Sequence, residues 1–173
     1  LLKPKNLYGL TKKYNEELAE IYFENYNFKS TALRFFTVFG EWGRPDMFII
    51  KYLDAAFNKK KFYLNNYGNH LRDFTYIDDI ISGFVLAVEK PLGYEIINLG
   101  NGKPVELMDF VSTLEKNLGI EARKNMLGMQ PGDVYETYAD TTKAKALLGF
   151  ETKTDFQEGV KKFMKWFNGY YPS

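Results

Sequence analysis

Tyr8 and Lys12 stand four residues apart in a segment whose apolar residues recur at helical spacing, and on a helix that interval puts both side chains on one face. A phenol ordinarily ionises near pH ~10. Tyrosine therefore acts as a base near neutrality only beside a cation that stabilises the phenolate, and Lys12 supplies that charge. Alone the spacing says little, because thirteen tyrosines in a lysine-rich chain produce it about once by chance; an ordinary exposed Tyr and Lys on a helix would look the same. The arginines are more selective. Only Arg34, Arg44, Arg72 and Arg123 occur among 23 basic residues, and in a chain that so prefers lysine they mark places that call for a planar fork toward carboxylate or phosphate. Arg72 reads as such a fork or as a strand-end salt bridge to Asp73 or Asp78. Arg44, in a loop with Gly43 and Pro45, reads as a fork or as a cap on a helix carbonyl. Arg34, inside an apolar strand run, reads as half of a structural ion pair, and Arg123 as a surface residue. Asp133 follows Gly132, which lets a backbone approach a ligand closely, or it is a plain turn aspartate. Asp78 and Asp79 suit a helix start, and His70, beside Asn69, suits a turn.

Composition removes several other chemistries. With no cysteine and one histidine, the chain has no thiol nucleophile, no thiolate metal site and no histidine cage. A net charge of +1 gives no electrostatic case for nucleic acid or an anionic membrane, and Lys59-Lys60-Lys61 reads as a solvated loop. No apolar stretch approaches the ~20 residues that span a bilayer, and Leu1-Leu2-Lys3-Pro4 does not resemble a signal peptide. A cytoplasmic protein is expected. At 173 residues, 45% hydrophobic and 26% charged, the chain is long enough to bury a sizeable core.

The elements that must position these residues are helices and strands in alternation. Periodicity predicts helices over 7–26, 46–58, 78–89, 105–118 and 141–148, the last capped by Asp140 and stopped by Gly149. A final helix opens on the capping-box pattern Thr154-x-x-Gln157 and carries Phe163, Trp166 and Phe167, read as packing. Strands are predicted over 30–37, 61–64, 71–75, 95–99 and 121–126, with a turn at Tyr67-Gly68-Asn69. That order favours an α/β architecture. No G-x-G-x-x-G or P-loop occurs, so the sequence holds no dinucleotide phosphate turn of that kind.

Tyr8-Gly9-Leu10-Thr11-Lys12 with Glu16-Glu17, followed by Leu33-Arg34-Phe35-Phe36-Thr37-Val38-Phe39-Gly40, resembles the catalytic helix and following strand of extended short-chain dehydrogenases/reductases. Trp42-Gly43-Arg44-Pro45-Asp46-Met47, Arg72-Asp73-Phe74-Thr75-Tyr76-Ile77-Asp78-Asp79-Ile80 and Gln130-Pro131-Gly132-Asp133-Val134 are similar to UDP-glucuronate 4-epimerases in particular. The blocks fall in family order over essentially the whole chain. The resemblance implies the C-terminal part of a Rossmann-type NAD(P)-binding fold plus a smaller α/β substrate-binding domain. Residues 1–45 would end the dinucleotide-binding domain, and 46–173 would be mostly nucleotide-sugar-binding, with crossovers back to the first sheet near 75–100. It implies NAD as cofactor, which takes hydride from C4 of the sugar and returns it to the other face. Tyr8 would be the acid/base, Lys12 would hold the nicotinamide ribose, and Phe36 would lie against the cofactor. Thr37 and Arg44 would meet the sugar and its carboxylate, Arg72 the UDP diphosphate and Asp133 the uridine ribose. Relatives of this kind dimerise through the Tyr-Lys helix, so a homodimer is implied. Glu41 stands where the family usually has proline, which predicts a more mobile loop around Arg44. The family's glycine-rich loop and its third catalytic hydroxyl precede the tyrosine, so the chain is expected to be a C-terminal half that does not turn over substrate alone. Other readings are a UDP-glucose 4-epimerase, a UDP-glucuronate decarboxylase, a 4,6-dehydratase, or a non-catalytic module that binds nucleotide sugar or dimerises.

Overall fold

Asn6 starts the first helix, α1 (Leu7–Tyr26), by accepting the Gly9 N–H at 2.8 Å, and Asn27 ends it in the left-handed region that asparagine tolerates. These two caps explain why the helix occupies the predicted span. The structure, a computed structural model, describes residues 3–4 and 6–171. Leu1 and Leu2, part of the opening segment read as no signal peptide, lie outside the described residues.

The run predicted as one strand over 30–37 is two, β1 (Ser30–Phe35) and β2 (Thr37–Phe39). There follow α2 (Phe48–Phe57), β3 (Lys61–Leu64), a 3-10 turn (Asn65–Gly68), β4 (Leu71–Arg72), β5 (Phe74–Tyr76) and α3 (Ile77–Glu89). The chain continues with β6 (Tyr94–Leu99), β7 (Val105–Glu106), α4 (Leu107–Leu118), β8 (Arg123–Met126), β9 (Glu136–Thr137), α5 (Thr142–Leu148) and α6 (Phe156–Tyr170). β1 lies parallel to β6, β2 to β5 and β3 to β8, while β4 runs between antiparallel β7 and parallel β9. Phe36 and Asp73 are the points where the chain changes partner, which is why both predicted strands break there.

Apolar burial forms two clusters. One gathers α2, α4 and α6 against β2 and β5, with Phe74 stacked on Phe110 at 4.3 Å between ring centroids. Phe163 and Phe167 lie within it, as the packing reading of the last helix expects. The other joins α3, β6 and α5 through Ile80, Ile97, Leu99, Leu148 and Phe150. Asp79 is buried at the start of α3 and accepts the N–H groups of Lys153 and Thr154, each at 3.0 Å, which ties the entrance of α6 to the second cluster. Thr154 is thereby a donor rather than the cap. The cap of α6 is Asp155, whose carboxylate accepts the Gln157 N–H at 2.9 Å. Asp140 accepts from Thr142, the first residue of α5, at 3.0 Å.

Candidate functional site

Phe36 and Thr37 sit where the chain passes from one sheet to the next: the Phe36 N–H donates to Leu99 O and the Thr37 N–H to Asp73 O at 3.0 Å. The two residues line different clefts. Phe36 joins Tyr8, Lys12 and Arg34 around a cleft of about 690 Å3. Thr37 joins His70, Arg72 and Asp133 around one of about 240 Å3. Tyr8, Lys12 and Phe36, expected from sequence at the cofactor, thus share the first cleft, and Thr37, Arg72 and Asp133, expected at the substrate, share the second, with one peptide bond between the two.

In the first cleft, Tyr8 is 72% exposed and the Lys12 ammonium lies 5.3 Å from its ring centroid. Arg34 fixes the floor: its guanidinium forks the Glu16 carboxylate at 2.7 and 2.6 Å, joining β1 to α1. That hydrogen-bonded pair raises the Arg34 pKa above its ordinary value, against desolvation. A lysine and a phenol one helical turn apart, with an aromatic ring beside them, offer hydrogen bonds to a ribose diol and a face for a flat heterocycle. The donor set fits the nicotinamide-ribose end of a dinucleotide. The sequence offers no glycine-rich turn for the pyrophosphate end.

In the second cleft, Arg72 does not bridge to Asp73 or Asp78. Its Nη1 donates to Leu71 O and Tyr135 O, both at 2.8 Å, and its Nη2 donates to Val134 O at 2.7 Å and lies 3.2 Å from His70 Nδ1. Among the described residues only its Nε–H is left free. Burial draws the Arg72 pKa down from its ordinary value, and nearby Asp133 opposes this. Asp133 accepts from the Asn65 amide at 3.1 Å. His70, read from sequence as a turn residue, is 5% exposed and faces Arg72.

Two residues depart from expectation in ways that matter for the site. Asp73 is fully buried and accepts four hydrogen bonds, from the N–H groups of Asn101, Gly102 and Ala139 and from the Thr75 hydroxyl, at 2.8–3.0 Å. It clamps the loop after β6 and the segment before α5 onto the junction between β4, which carries Arg72, and β5, which pairs with the β2 strand of Thr37. Gly100 makes this possible, since a Cβ there would sit 2.6 Å from the Ala139 Cβ and 2.9 Å from an Asp73 oxygen. Arg44 lines neither cleft; it forks Asp46 at 3.1 and 3.0 Å on the surface. The loop that bears it is anchored through Glu41, whose carboxylate accepts from the Tyr76 hydroxyl at 2.8 Å. Among the described residues no cluster of acidic or histidine side chains suits a metal ion, and no helix is long and apolar enough to cross a membrane.

Comparison with known proteins identifies relatives of the chain by sequence and by fold. An uncharacterised protein of Methanocaldococcus jannaschii is 48% identical over 95% of the chain and 51% of its own length. A probable UDP-glucuronate 4-epimerase of Rhizobium meliloti is 40% identical over 98% of the chain and 55% of its own length. The crystal structure of a UDP-glucuronic acid 4-epimerase from Bacillus cereus in complex with UDP-glucuronic acid and NAD superposes with a TM-score of 0.91 at 35% identity, covering 99% of this chain and 55% of that one. The chain spans about half the length of the curated relatives it matches. Residues 1–100 match the NAD dependent epimerase/dehydratase family. With that match and a Rossmann-type α/β fold shared with its solved relatives, the chain belongs to the NAD dependent epimerase/dehydratase family.

Proposed function

We propose that this chain is the part of an NAD-dependent nucleotide-sugar 4-epimerase that carries its Tyr–Lys pair and its nucleotide-sugar cleft, in an enzyme that interconverts UDP-glucuronate and UDP-galacturonate. The observation that carries the reading is the meeting of Thr37, Arg72 and Asp133 around one cleft, a single peptide bond away from the cleft of Tyr8, Lys12 and Phe36. In this reading Asp133 accepts the uridine ribose hydroxyls, Arg72 balances the diphosphate charge and Thr37 donates to the sugar. NAD, when bound against Phe36, supplies the acceptor for the C4 hydride. The chain's own chemistry is proton transfer: the Tyr8 oxygen takes the proton of the 4-hydroxyl and later gives it back. Lys12 holds the ribose and stabilises the phenolate. The exposed apolar side chains of α1, among them Leu10, Tyr14, Leu18 and Ile21, would close an isologous dimer.

Two experiments test this. Calorimetry with UDP on the folded chain should give saturable binding; a flat titration at millimolar UDP would remove the cleft assignments. A chimera that places the first half of the Methanocaldococcus relative before this chain should convert UDP-glucuronate to UDP-galacturonate, seen by NMR of the products. A neutral hexose is the second reading, favoured by the position of Arg44 on Asp46 and outside both clefts. If Arg44→Ala in the chimera leaves UDP-glucuronate and UDP-glucose used in unchanged ratio, Arg44 does not recognise the carboxylate.

A further inference from the structure

His70 is the sole histidine of the chain. Its Nδ1 lies 3.2 Å from both Arg72 Nη2 and the carbonyl oxygen of Val134. These contacts make opposite demands, because a carbonyl asks for a hydrogen and a guanidinium, which only donates, asks for a lone pair. Arg72 Nη2 already donates to Val134 O at 2.7 Å. A hydrogen on Nδ1 would share Val134 O with Nη2 and leave the second Nη2 hydrogen without an acceptor, so the ligand-free arrangement favours the ring with its hydrogen on Nε2 and Nδ1 as acceptor. Arg72 is also held unevenly. Nη1 is pinned on two carbonyls at 2.8 Å, whereas the bond to His70 is the longest of the four and ends on a neutral nitrogen. The Nε/Nη2 edge, whose Nε–H is free among the described residues, is the one an anion takes at least cost: Nη2 gives up Val134 O at 2.7 Å as well as His70, but those two partners can then satisfy each other, which the two carbonyl acceptors of Nη1 cannot do. Withdrawal of Nη2 leaves two acceptors, Val134 O and Nδ1, facing each other at 3.2 Å, and only a hydrogen on Nδ1 satisfies both.

We infer that His70 is a positioning residue that holds Arg72 in the ligand-free cleft and cedes it to the pyrophosphate of a nucleotide sugar. The imidazole then changes tautomer to donate from Nδ1 to Val134. The inference rests on the reading of the Arg72–Asp133 cleft as a nucleotide-sugar site. The ring exchanges one N–H for the other through solvent, with no net uptake of protons.

Because the chain has one histidine, nitrogen NMR of a histidine-labelled sample reads the tautomer without assignment by mutation. The free chain should show a protonated Nε2 and an unprotonated Nδ1. Titration with UDP-glucose, whose binding is followed in parallel by calorimetry, should convert Nδ1 to the protonated type in step with occupancy, while uridine leaves it unchanged. An Nδ1–H tautomer in the free chain, saturation by UDP-glucose without a change at Nδ1, or the same change with uridine would each overturn the exchange. No binding of UDP-glucose at all would instead remove the nucleotide-sugar reading, and this inference with it. In Arg72→Met the ring should already carry its hydrogen on Nδ1 without ligand, and an unchanged tautomer there also overturns the pairing. Should that variant not fold, the titration of the unsubstituted chain decides.

Discussion

A carboxylate with no exposed surface survives only where donors surround it, and the four donors on Asp73 come from three separate stretches of chain. Asp73→Asn replaces one of its oxygens with an amine that faces backbone N–H groups, so it should cost about 3 kcal/mol of stability, measured as a lowered midpoint in urea unfolding. Thr75→Val, which removes one hydroxyl from the same group of contacts, should cost about 1 kcal/mol. If Asp73→Asn unfolds like the unsubstituted chain, the clamp does not hold the segments together. Sequence adjacency suggested Asp73 as a partner for Arg72, but neighbours on extended backbone point to opposite faces and do not meet. The same rule places Phe36 and Thr37 in different clefts. Arg34 was legible as an ion pair because a charge within an apolar strand needs a partner, yet nothing local named Glu16, eighteen residues earlier. His70 was read from its neighbour Asn69, and burial against Arg72 is a tertiary fact that no neighbour announces.

Helix ends were legible to within about two residues, because their signals are local. Asn6 and Asn27 bound α1, and Gly119 and Gly149 end α4 and α5 in the left-handed region. For α6 the capping-box pattern pointed to Thr154, whereas the structure uses Asp155, and Asp79 accepts the Thr154 N–H that a capping box would pair with the Gln157 side chain. Gly83 is a case where helix propensity gives the wrong sign. Alanine in a helix interior gains about 1 kcal/mol over glycine. Here, however, a Cβ would lie 2.9 Å from both Leu99 and the Phe150 ring, which are buried and packed. Gly83→Ala should therefore lower stability by about 1–2 kcal/mol net, read as a fall in melting temperature; a rise would mean that α3 packs more loosely on β6. The loop over 40–47 carries a pH-dependent contact. Burial first, and then the hydrogen bond to Glu41, raise the Tyr76 pKa above its ordinary value. A raised folded value means that the contribution is full below the unfolded phenol's pKa of about 10 and is lost as pH climbs above it toward the folded value. Unfolding followed across that alkaline range should show the native chain losing more stability than Tyr76→Phe. Equal losses would mean that the Glu41 contact does not hold the loop.

At the scale of the whole molecule, the alternation of strands and helices made the α/β class legible, whereas the partner changes at Phe36 and Asp73 were not, because a strand's pattern records its faces and not its neighbour. The same pairing leaves one edge of β1 without a partner among the described residues. α3 beside it exposes Ile81, Phe84, Val85 and Val88, and a groove of about 340 Å3 opens between them. An unpaired strand edge next to an apolar helix face promotes association. The exposed side chains of α1 form a second surface of the same kind. The two surfaces predict different stoichiometries. A two-fold interface on α1 closes at a dimer, while a further contact through α3 and β1 carries assembly beyond it. Light scattering of the unsubstituted chain should therefore give a mass above that of a dimer. Val88→Asp should reduce it to a dimer, and adding Leu18→Asp should reduce it to a monomer. A dimer that survives Leu18→Asp but not Val88→Asp would move the two-fold contact from α1 to α3. A clean monomer of the unsubstituted chain would show that neither surface associates, and would take the homodimer out of the proposal.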